Sequence, residues 1–314
     1  MVVPFLVSGA LLAYVFSRID IRLALDYLTL EVALRFLVPL ILFNVFTVAI
    51  EAQCLHRVTA ASPEEATALS RLTSARIKSA CYLLGILNYA LGAAGLSVLL
   101  RRRTGASLGT AAGMVFLISL FDIGSVLAWV GSGAAMLQAD TFGLRLGIVG
   151  LAIGAIVSGF IFLRAPMSMG PLDAVRELDL FRAPRTAPTG LLIEIGLLRL
   201  LFVGCFVALV RALFWAFDIE IGAISLMLNV GLMLVVSALP IAAGGLGTGQ
   251  IVFVQIFSGV APDAQLLSMS LVFSVGVIFT RAFIGLVFAP EFTREALRAA
   301  GETPEPAPPT KAST

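Results

Sequence analysis

Several charged side chains lie inside long apolar runs of this sequence. The deep ones are Asp122, Arg199 and Arg281, while Glu51, Glu194 and Arg211 lie nearer the ends of their runs. A charge at the centre of a membrane helix costs about 2.5 to 3.5 kcal/mol unless it is paired or hydrated. We therefore predict that Asp122 pairs with Arg281, either as a structural ion pair or as part of a substrate site. Long side chains at Glu194, Arg199 and Arg211 are expected to reach toward the membrane surface.

Two apolar segments are interrupted by residues that disfavour a continuous helix. One is residues 80–100, with Gly85, Asn88, Gly92 and Gly95, and the other is residues 240–260, which begin PIAAGGLGTGQ. Unwound backbone is tolerated at membrane depth only where protein or a cavity satisfies its polar groups. The two segments therefore predict broken or re-entrant helices around a binding site. The alternative is close helix packing, as we expect for the GxxxG pair Gly150 and Gly154.

The sequence contains few other residues that could bind a ligand or catalyse a reaction. The glycine-rich stretch does not match a nucleotide-binding P-loop, because Gly249 is followed by Gln250 and not by lysine. Three cysteines, Cys54, Cys81 and Cys205, have no paired spacing, and the single histidine, His56, is interpreted as a solvated loop residue. We expect no catalytic residue, metal or cofactor, and a net charge of +2 indicates no nucleic-acid partner.

The elements that must position these residues are membrane helices. The 314 residues are 59% hydrophobic and 13% charged, with a mean hydropathy of +1.03, whereas soluble domains are about a quarter charged. Besides the two broken segments, apolar spans are predicted at 1–17, 33–53, 108–130, 144–163, 190–217, 221–239 and 266–289. The predicted fold is an all-α, polytopic membrane helix bundle with seven to nine membrane segments. It occupies residues 1–300, and residues 301–314 form a disordered cytoplasmic tail.

Loop charges predict the orientation of the bundle. Arginines in the loops 101–103 and 164–189 favour the cytoplasmic side, whereas the loop 131–143 has no Lys or Arg and is expected outside. Within the loop 164–189, the stretch PLDAVRELDLF has the helical spacing of an amphipathic surface helix. These assignments agree with one another if residues 240–260 cross fully. The loop 54–79 is also basic, and placing it inside requires residues 80–100 to enter and leave by one face. We predict a multi-pass protein of the cell inner membrane.

The sequence resembles a known family, the transmembrane flippase-like domain of lysylphosphatidylglycerol synthases, in the form of a stand-alone member without the synthase domain. The resemblance rests on residues 76–127, with a broken helix, a basic cluster, Thr-Gly and a span bearing Asp, and on LPIAAGGLGTGQIVFV. The positions that match the family pattern are Asn88, Gly95, Gly105, Asp122, Pro240, Gly245, Gly247 and Arg281. The positions that depart from it are Leu91 for proline, Leu96 for an acidic residue, Ser119 for arginine and Gln250 for glutamate.

This resemblance implies translocation of a phospholipid or lipid-linked envelope precursor between leaflets, with membrane lipids as partners. The implied substrate-binding residues are Asn88, Gly95, Asp122, Pro240, Gly245, Gly247 and Arg281, and Gln250 would act as a neutral hydrogen-bonding partner. An alternative is a non-transporting accessory protein that holds an envelope-biosynthesis enzyme. A lipid-modifying transferase is a third reading, but the loops lack the paired carboxylates or metal ligands that such an enzyme needs.

Overall fold

The computed structural model describes residues 21–62, 67–136, 142–164, 170–237 and 248–301. Within these ranges the chain forms twelve helices and no strand. The helices are α1 Ile21–Asp26, α2 Leu30–Ala60, α3 Arg71–Leu87, α4 Tyr89–Thr104, α5 Leu108–Ala135, α6 Phe142–Arg164, α7 Pro171–Arg176, α8 Asp179–Thr186, α9 Thr189–Ala216, α10 Ala223–Ser237, α11 Thr248–Ile256 and α12 Asp263–Gly301. The predicted all-α class is confirmed for this part of the chain.

Five of these helices are long and apolar enough to cross a membrane: α2, α5, α6, α9 and α12. They coincide with the predicted spans, and they make this a multi-pass membrane protein. The predicted count of seven to nine segments is not confirmed, since α10 is shorter than a full crossing requires. The predicted span 1–17 and most of the predicted tail lie outside the described residues.

The first broken segment is a helical hairpin. Helices α3 and α4 pack against each other and are separated by Asn88, which has extended backbone angles of φ −163° and ψ 137°. At the open end of the hairpin, the Thr67 amide donates to the Thr104 carbonyl at 2.8 Å. The chain therefore enters and leaves this hairpin at one end of the bundle. The predicted break is present at Asn88, and re-entry by one membrane face stays a prediction.

Glycines let the two arms of this hairpin approach closely. A Cβ placed on Gly92 would lie 2.9 Å from the Cα of Gly85, a distance that real side chains essentially never adopt. After α4 the chain turns through Gly105, whose φ of +74° is the left-handed conformation that favours glycine. The glycines of this segment thus serve both packing and chain reversal.

The second broken segment consists of α10 and α11. The start of α10 and the end of α11 lie at the end of the bundle opposite to the Thr67–Thr104 contact. Helix α10 follows Asp218, which pairs with Arg35 at 2.9 Å near the start of α2. Helix α12 also begins there, because Gln265 Nε2 donates to the Phe217 carbonyl at 3.3 Å. Residues 238–247 lie outside the described residues, so the predicted full crossing of 240–260 stays a prediction. Helix α11 has nine residues and accounts for about 13.5 Å of depth.

We call the end that contains the Thr67–Thr104 contact the basic end, because Arg101, Arg102 and Arg103 also lie there, and we call the other the far end. In the first half of the chain, α2 runs toward the basic end, the hairpin α3/α4 returns to that end, and α5 runs back. In the second half, α9 runs toward the far end, α10 and α11 return to it, and α12 runs back. Helices α2–α5, which we call the first half, and helices α9–α12, the second half, therefore share one element order in inverted orientation.

The halves also complete each other by packing. Helix α3 packs against α12 of the second half, and α10 packs against α5 of the first half. Helices α2 and α9 pack together at the centre. Two apolar core clusters result, one around Phe214, Phe253 and Phe257 toward the far end, and one around Ile77 and Leu100 toward the basic end.

The loop 164–189 contains the predicted amphipathic surface structure, divided into α7 and α8. Helix α8 packs on α5, where a Cβ placed on Gly109 would lie 2.7 Å from Asp179 Oδ2. Phe181 makes edge-to-face contacts with Phe116 and Phe162, at ring-centroid distances of 5.1 and 5.7 Å. The stretch is therefore helical, as predicted, but it is divided into two short helices at residues 177–178, and its position at the membrane surface stays a prediction.

Candidate functional site

Asp122, at the middle of α5, forms its ion pair with Arg199 and not with Arg281. The prediction of an Asp122–Arg281 pair is wrong, because α5 packs directly on α9, and α12 lies on the other side of α2 and α3. The prediction that Arg199 reaches the membrane surface is also wrong, since this residue is only 2% exposed. Its guanidinium also stacks over the Phe202 ring, 4.1 Å from the centroid.

A second buried carboxylate, Glu51, lies on α2 facing the hairpin. Its exposure is 8%. Lys78 Nζ lies 3.0 Å from Glu51 Oε1, and the Tyr82 hydroxyl donates to Glu51 Oε2 at 2.6 Å. Lys78 and Tyr82 are four residues apart on α3, so they lie on the same face of that helix. Both oxygens of the carboxylate are thus occupied by groups of one helix.

Arg281 completes this side of the site from α12. Its guanidinium lies over the Tyr82 ring, 5.3 Å from the centroid, which is a cation–π contact. The side chain is only partly buried. Among the described residues, no carboxylate lies within 4.0 Å of this guanidinium. Arg281 is therefore held by an aromatic face and lacks a direct anionic partner in this part of the chain.

The two groups form one electrostatic cluster, which we call the charge cluster: Glu51, Lys78, Asp122, Arg199 and Arg281. The charges of Lys78, Arg199 and Arg281 all act on Glu51, and those of Lys78, Arg199 and Glu51 act on Asp122. The thiol of Cys54 lies beside Arg199. The Nη1 atom of Arg199 is buried and has no hydrogen-bond partner among the described residues.

The charge cluster lies well inside the bundle. Glu51 precedes the last residue of α2 by nine positions, and Arg199 follows the first residue of α9 by ten. At 1.5 Å per residue these positions are roughly 13 to 15 Å from the helix ends, about half the thickness of a hydrocarbon core. Charges at that depth mark a functional site or a structural network.

The other predicted site residues have varied surroundings. The Asn88 side chain accepts a hydrogen bond from the Ala90 amide at 2.7 Å and so caps α4. Gly95 packs directly beneath the Leu84 side chain in the hairpin. Gln250 is fully buried and donates to Ser274 Oγ of α12 at 3.2 Å. Pro240, Gly245 and Gly247 lie outside the described residues, and their predicted role remains a prediction.

Two polar residues near the helix ends, Glu194 and His56, have well-defined partners. Glu194 binds Arg57 at 2.7 Å and accepts from Gln53 at 3.2 Å, in the partly exposed position that the sequence indicated. His56, predicted to be in a loop, lies instead within α2 with its Nδ1 atom 2.6 Å from the Leu69 carbonyl oxygen. The described residues include no group of three His, Cys, Asp or Glu side chains that could hold a metal ion.

Sequence reasoning missed Lys78 and Tyr82. Arg71, Arg76 and Lys78 lower the hydropathy of α3, so its first turns were interpreted as a connector. The signal that could have found them is the spacing of Lys78 and Tyr82 on one face of an otherwise apolar hairpin arm, since a lysine directed inward requires a buried acid.

Comparison with known proteins gives no match: no family model, no curated protein and no solved structure is similar to this chain. The charge cluster contains more positive than negative groups and joins helices α2, α3 and α5 to helices α9 and α12.

Proposed function

We propose that this protein translocates a phospholipid or a lipid-linked envelope precursor between the leaflets of the cell inner membrane. The observation that carries the proposal is the inverted order of the two halves, each with a broken segment that enters from its own end. Such inverted repeats with discontinuous helices are the architecture of many transporters, in which substrate binds between the repeats near the middle of the membrane. The charge cluster lies at about that depth.

The chemistry of the cluster fits a lipid head group. A head group that crosses the hydrocarbon core must exchange its hydration for protein partners, because unsatisfied polar groups cost several kcal/mol there. Arg281 offers donors on a partly buried side chain, and helix ends at the broken segments offer backbone amides. The resemblance to flippase-like domains of lysylphosphatidylglycerol synthases supports the same function.

The direct experiment measures lipid movement by the purified protein. Reconstitution into proteoliposomes with acyl-chain-labelled phospholipids should accelerate their exchange between leaflets, as followed by dithionite quenching. Replacing Gly245 and Gly247 with leucine should abolish this movement while the protein remains inserted and monodisperse, because the side chains would fill the space near the second break.

The matched control replaces Gly150 and Gly154 with leucine. These glycines are on α6, where an added Cβ meets nothing within 4 Å among the described residues. That double variant should move lipid at the wild-type rate. Failure of the wild-type protein to accelerate the exchange of any anionic, zwitterionic, aminoacylated or isoprenoid-linked lipid would refute the proposed transport.

A second candidate, the accessory protein, is favoured by the surface of α6. Only 6% of the apolar stretch of α6 is buried. A Cβ placed on Gly147, Gly150 or Gly154 would meet no described residue within 4 Å, so this face of α6 is open. Small residues on a lipid-facing helix allow another helix to approach closely. An accessory role predicts that the leucine variants at Gly150 and Gly154 lose co-purification with an envelope enzyme, while wild-type protein moves no lipid.

A further inference from the structure

The charge cluster is not neutral. It contains two carboxylates, Glu51 and Asp122, and three cations, Lys78, Arg199 and Arg281, so that two negative and three positive charges leave one positive charge in excess. No other carboxylate is directed into the cluster from the described helices, since Glu194 is occupied by Arg57 at the basic end. An uncompensated charge at this depth is strongly unfavourable without a partner.

The excess charge belongs to a particular side chain. Asp122 is bound by Arg199, and Glu51 is bound by Lys78 and by the Tyr82 hydroxyl. Both carboxylates therefore already have a cationic partner other than Arg281. Arg281 lies against the Tyr82 ring, and its side chain is partly accessible, as is that of Lys78, whereas Arg199 is buried.

We infer that Arg281 is the binding residue for a monoanionic phosphodiester head group, and that the protein selects lipids with one net negative charge over zwitterionic or aminoacylated ones. The inference rests on the proposed function and names the substrate class of the same site. A guanidinium presents a planar pair of donors that fits phosphate oxygens, and binding one negative charge would neutralise the cluster.

Tyr82 has a positioning role in this site. Its hydroxyl donates to Glu51, and its ring face lies against the guanidinium, so the ring restricts the positions that the Arg281 side chain can adopt. The arginine is thus preorganised, and less rotamer entropy remains to be lost when a phosphate binds. An aminoacylated head group adds a cation, and a second cation next to Arg281 would meet like-charge repulsion.

The experiment compares three acyl-chain-labelled lipids in the proteoliposome assay: phosphatidylglycerol, phosphatidylcholine and an aminoacylated phosphatidylglycerol. Wild-type protein should move phosphatidylglycerol about tenfold faster than the other two, which corresponds to one charge-assisted hydrogen bond. Arg281→Gln should remove this preference, and Arg281→Lys should retain part of it. Arg211→Gln is the matched control, because that arginine binds the Ile221 carbonyl outside the cluster.

Thermal unfolding in detergent provides a readout that does not depend on transport. Phosphatidylglycerol should stabilise wild-type protein more than phosphatidylcholine does, and Arg281→Gln should abolish the difference. Without lipid, Arg281→Gln should unfold at no lower a temperature than wild type, since it leaves the cluster neutral. A lower temperature would show that Arg281 is a structural ion-pair partner and would overturn the inference.

The outcomes separate the inference from the proposed function. Equal movement of all three lipids would overturn the charge selection and leave transport standing. Selective stabilisation by phosphatidylglycerol without movement of any lipid would refute transport and retain the anion site. Stabilisation by inorganic phosphate equal to that by phosphatidylglycerol would assign the site to small anions and overturn the lipid assignment.

Discussion

Two carboxylates of the described helices, Asp122 and Glu51, are neutralised in different ways. Asp122 is held by one arginine from the central helix α9, and that arginine is almost fully buried. Glu51 is held by a lysine and a tyrosine from the hairpin arm α3, and a second arginine lies over the tyrosine ring. We call the first group, between α5 and α9, a closed pair, because one carboxylate faces one cation. We call the second an open group, because two cations, Lys78 and Arg281, lie around one carboxylate.

The Asp122–Arg199 pair should show the largest effect on stability. Either Asp122→Leu or Arg199→Met alone leaves one buried charge without its partner, which costs about 3 to 5 kcal/mol. The double variant should lie close to wild type, because both desolvation costs disappear together. Unfolding of the four proteins by SDS in mixed micelles measures this cycle. Additive losses in the double variant would contradict a closed pair.

Lys78→Met should have a smaller effect on the free energy of unfolding, about 2 kcal/mol. Glu51 then keeps the Tyr82 hydroxyl, and the charge of Arg281 remains near it. Adding Glu51→Gln in the same chain should restore most of the loss. A loss as large as that of Arg199→Met would mean that the Glu51 group is as closed as the Asp122 pair.

Tyr82→Phe removes one hydrogen bond to a charged acceptor and should cost about 1.5 kcal/mol. The ring remains, so the cation–π contact with Arg281 is preserved. Tyr89→Phe is the matched control on the same hairpin, because the Tyr89 hydroxyl is exposed and lies 3.4 Å from Ser119 Oγ. The control should unfold like wild type. Equal losses in both variants would show that the Glu51 contact contributes nothing specific.

Arg57→Gln should have the smallest effect, below about 1 kcal/mol. Its partner is Glu194, and the two side chains are 44% and 31% exposed, so water and salt screen the pair. The small loss should vanish in high salt, whereas the loss from Arg199→Met should persist. If the loss did not depend on salt, the Arg57–Glu194 pair would behave like a buried ion pair, which would contradict this prediction.

The long spans could be predicted from sequence because each is a continuous apolar run. Helices α5 and α9 therefore appeared with nearly correct bounds. The break at Asn88 was also predictable, since glycines on both sides weaken the helix and asparagine caps the next one. Hydropathy is a local property, and these features depend mainly on local sequence.

The partner of Asp122 could not be predicted in the same way. Counting residues gives a depth for each charge but not the order of helices around the bundle, and that order selects Arg199 over Arg281. Lys78 was missed because its helix begins with a basic turn that hydropathy assigns to a loop. Both errors concern contacts between residues that are far apart in sequence.

The packing of α3 on α12 has a consequence for biogenesis. Tyr82 and Arg281 are separated by about 200 residues, so at 5 to 20 residues per second the ribosome needs roughly 10 to 40 s to complete the contact. During that interval the first hairpin lacks its α12 neighbour, and α5 meets α10 only when the second half is made. A chain truncated before α12 would leave Tyr82 and its neighbours on α3 facing lipid, and we expect membrane quality-control proteases to recognise that surface.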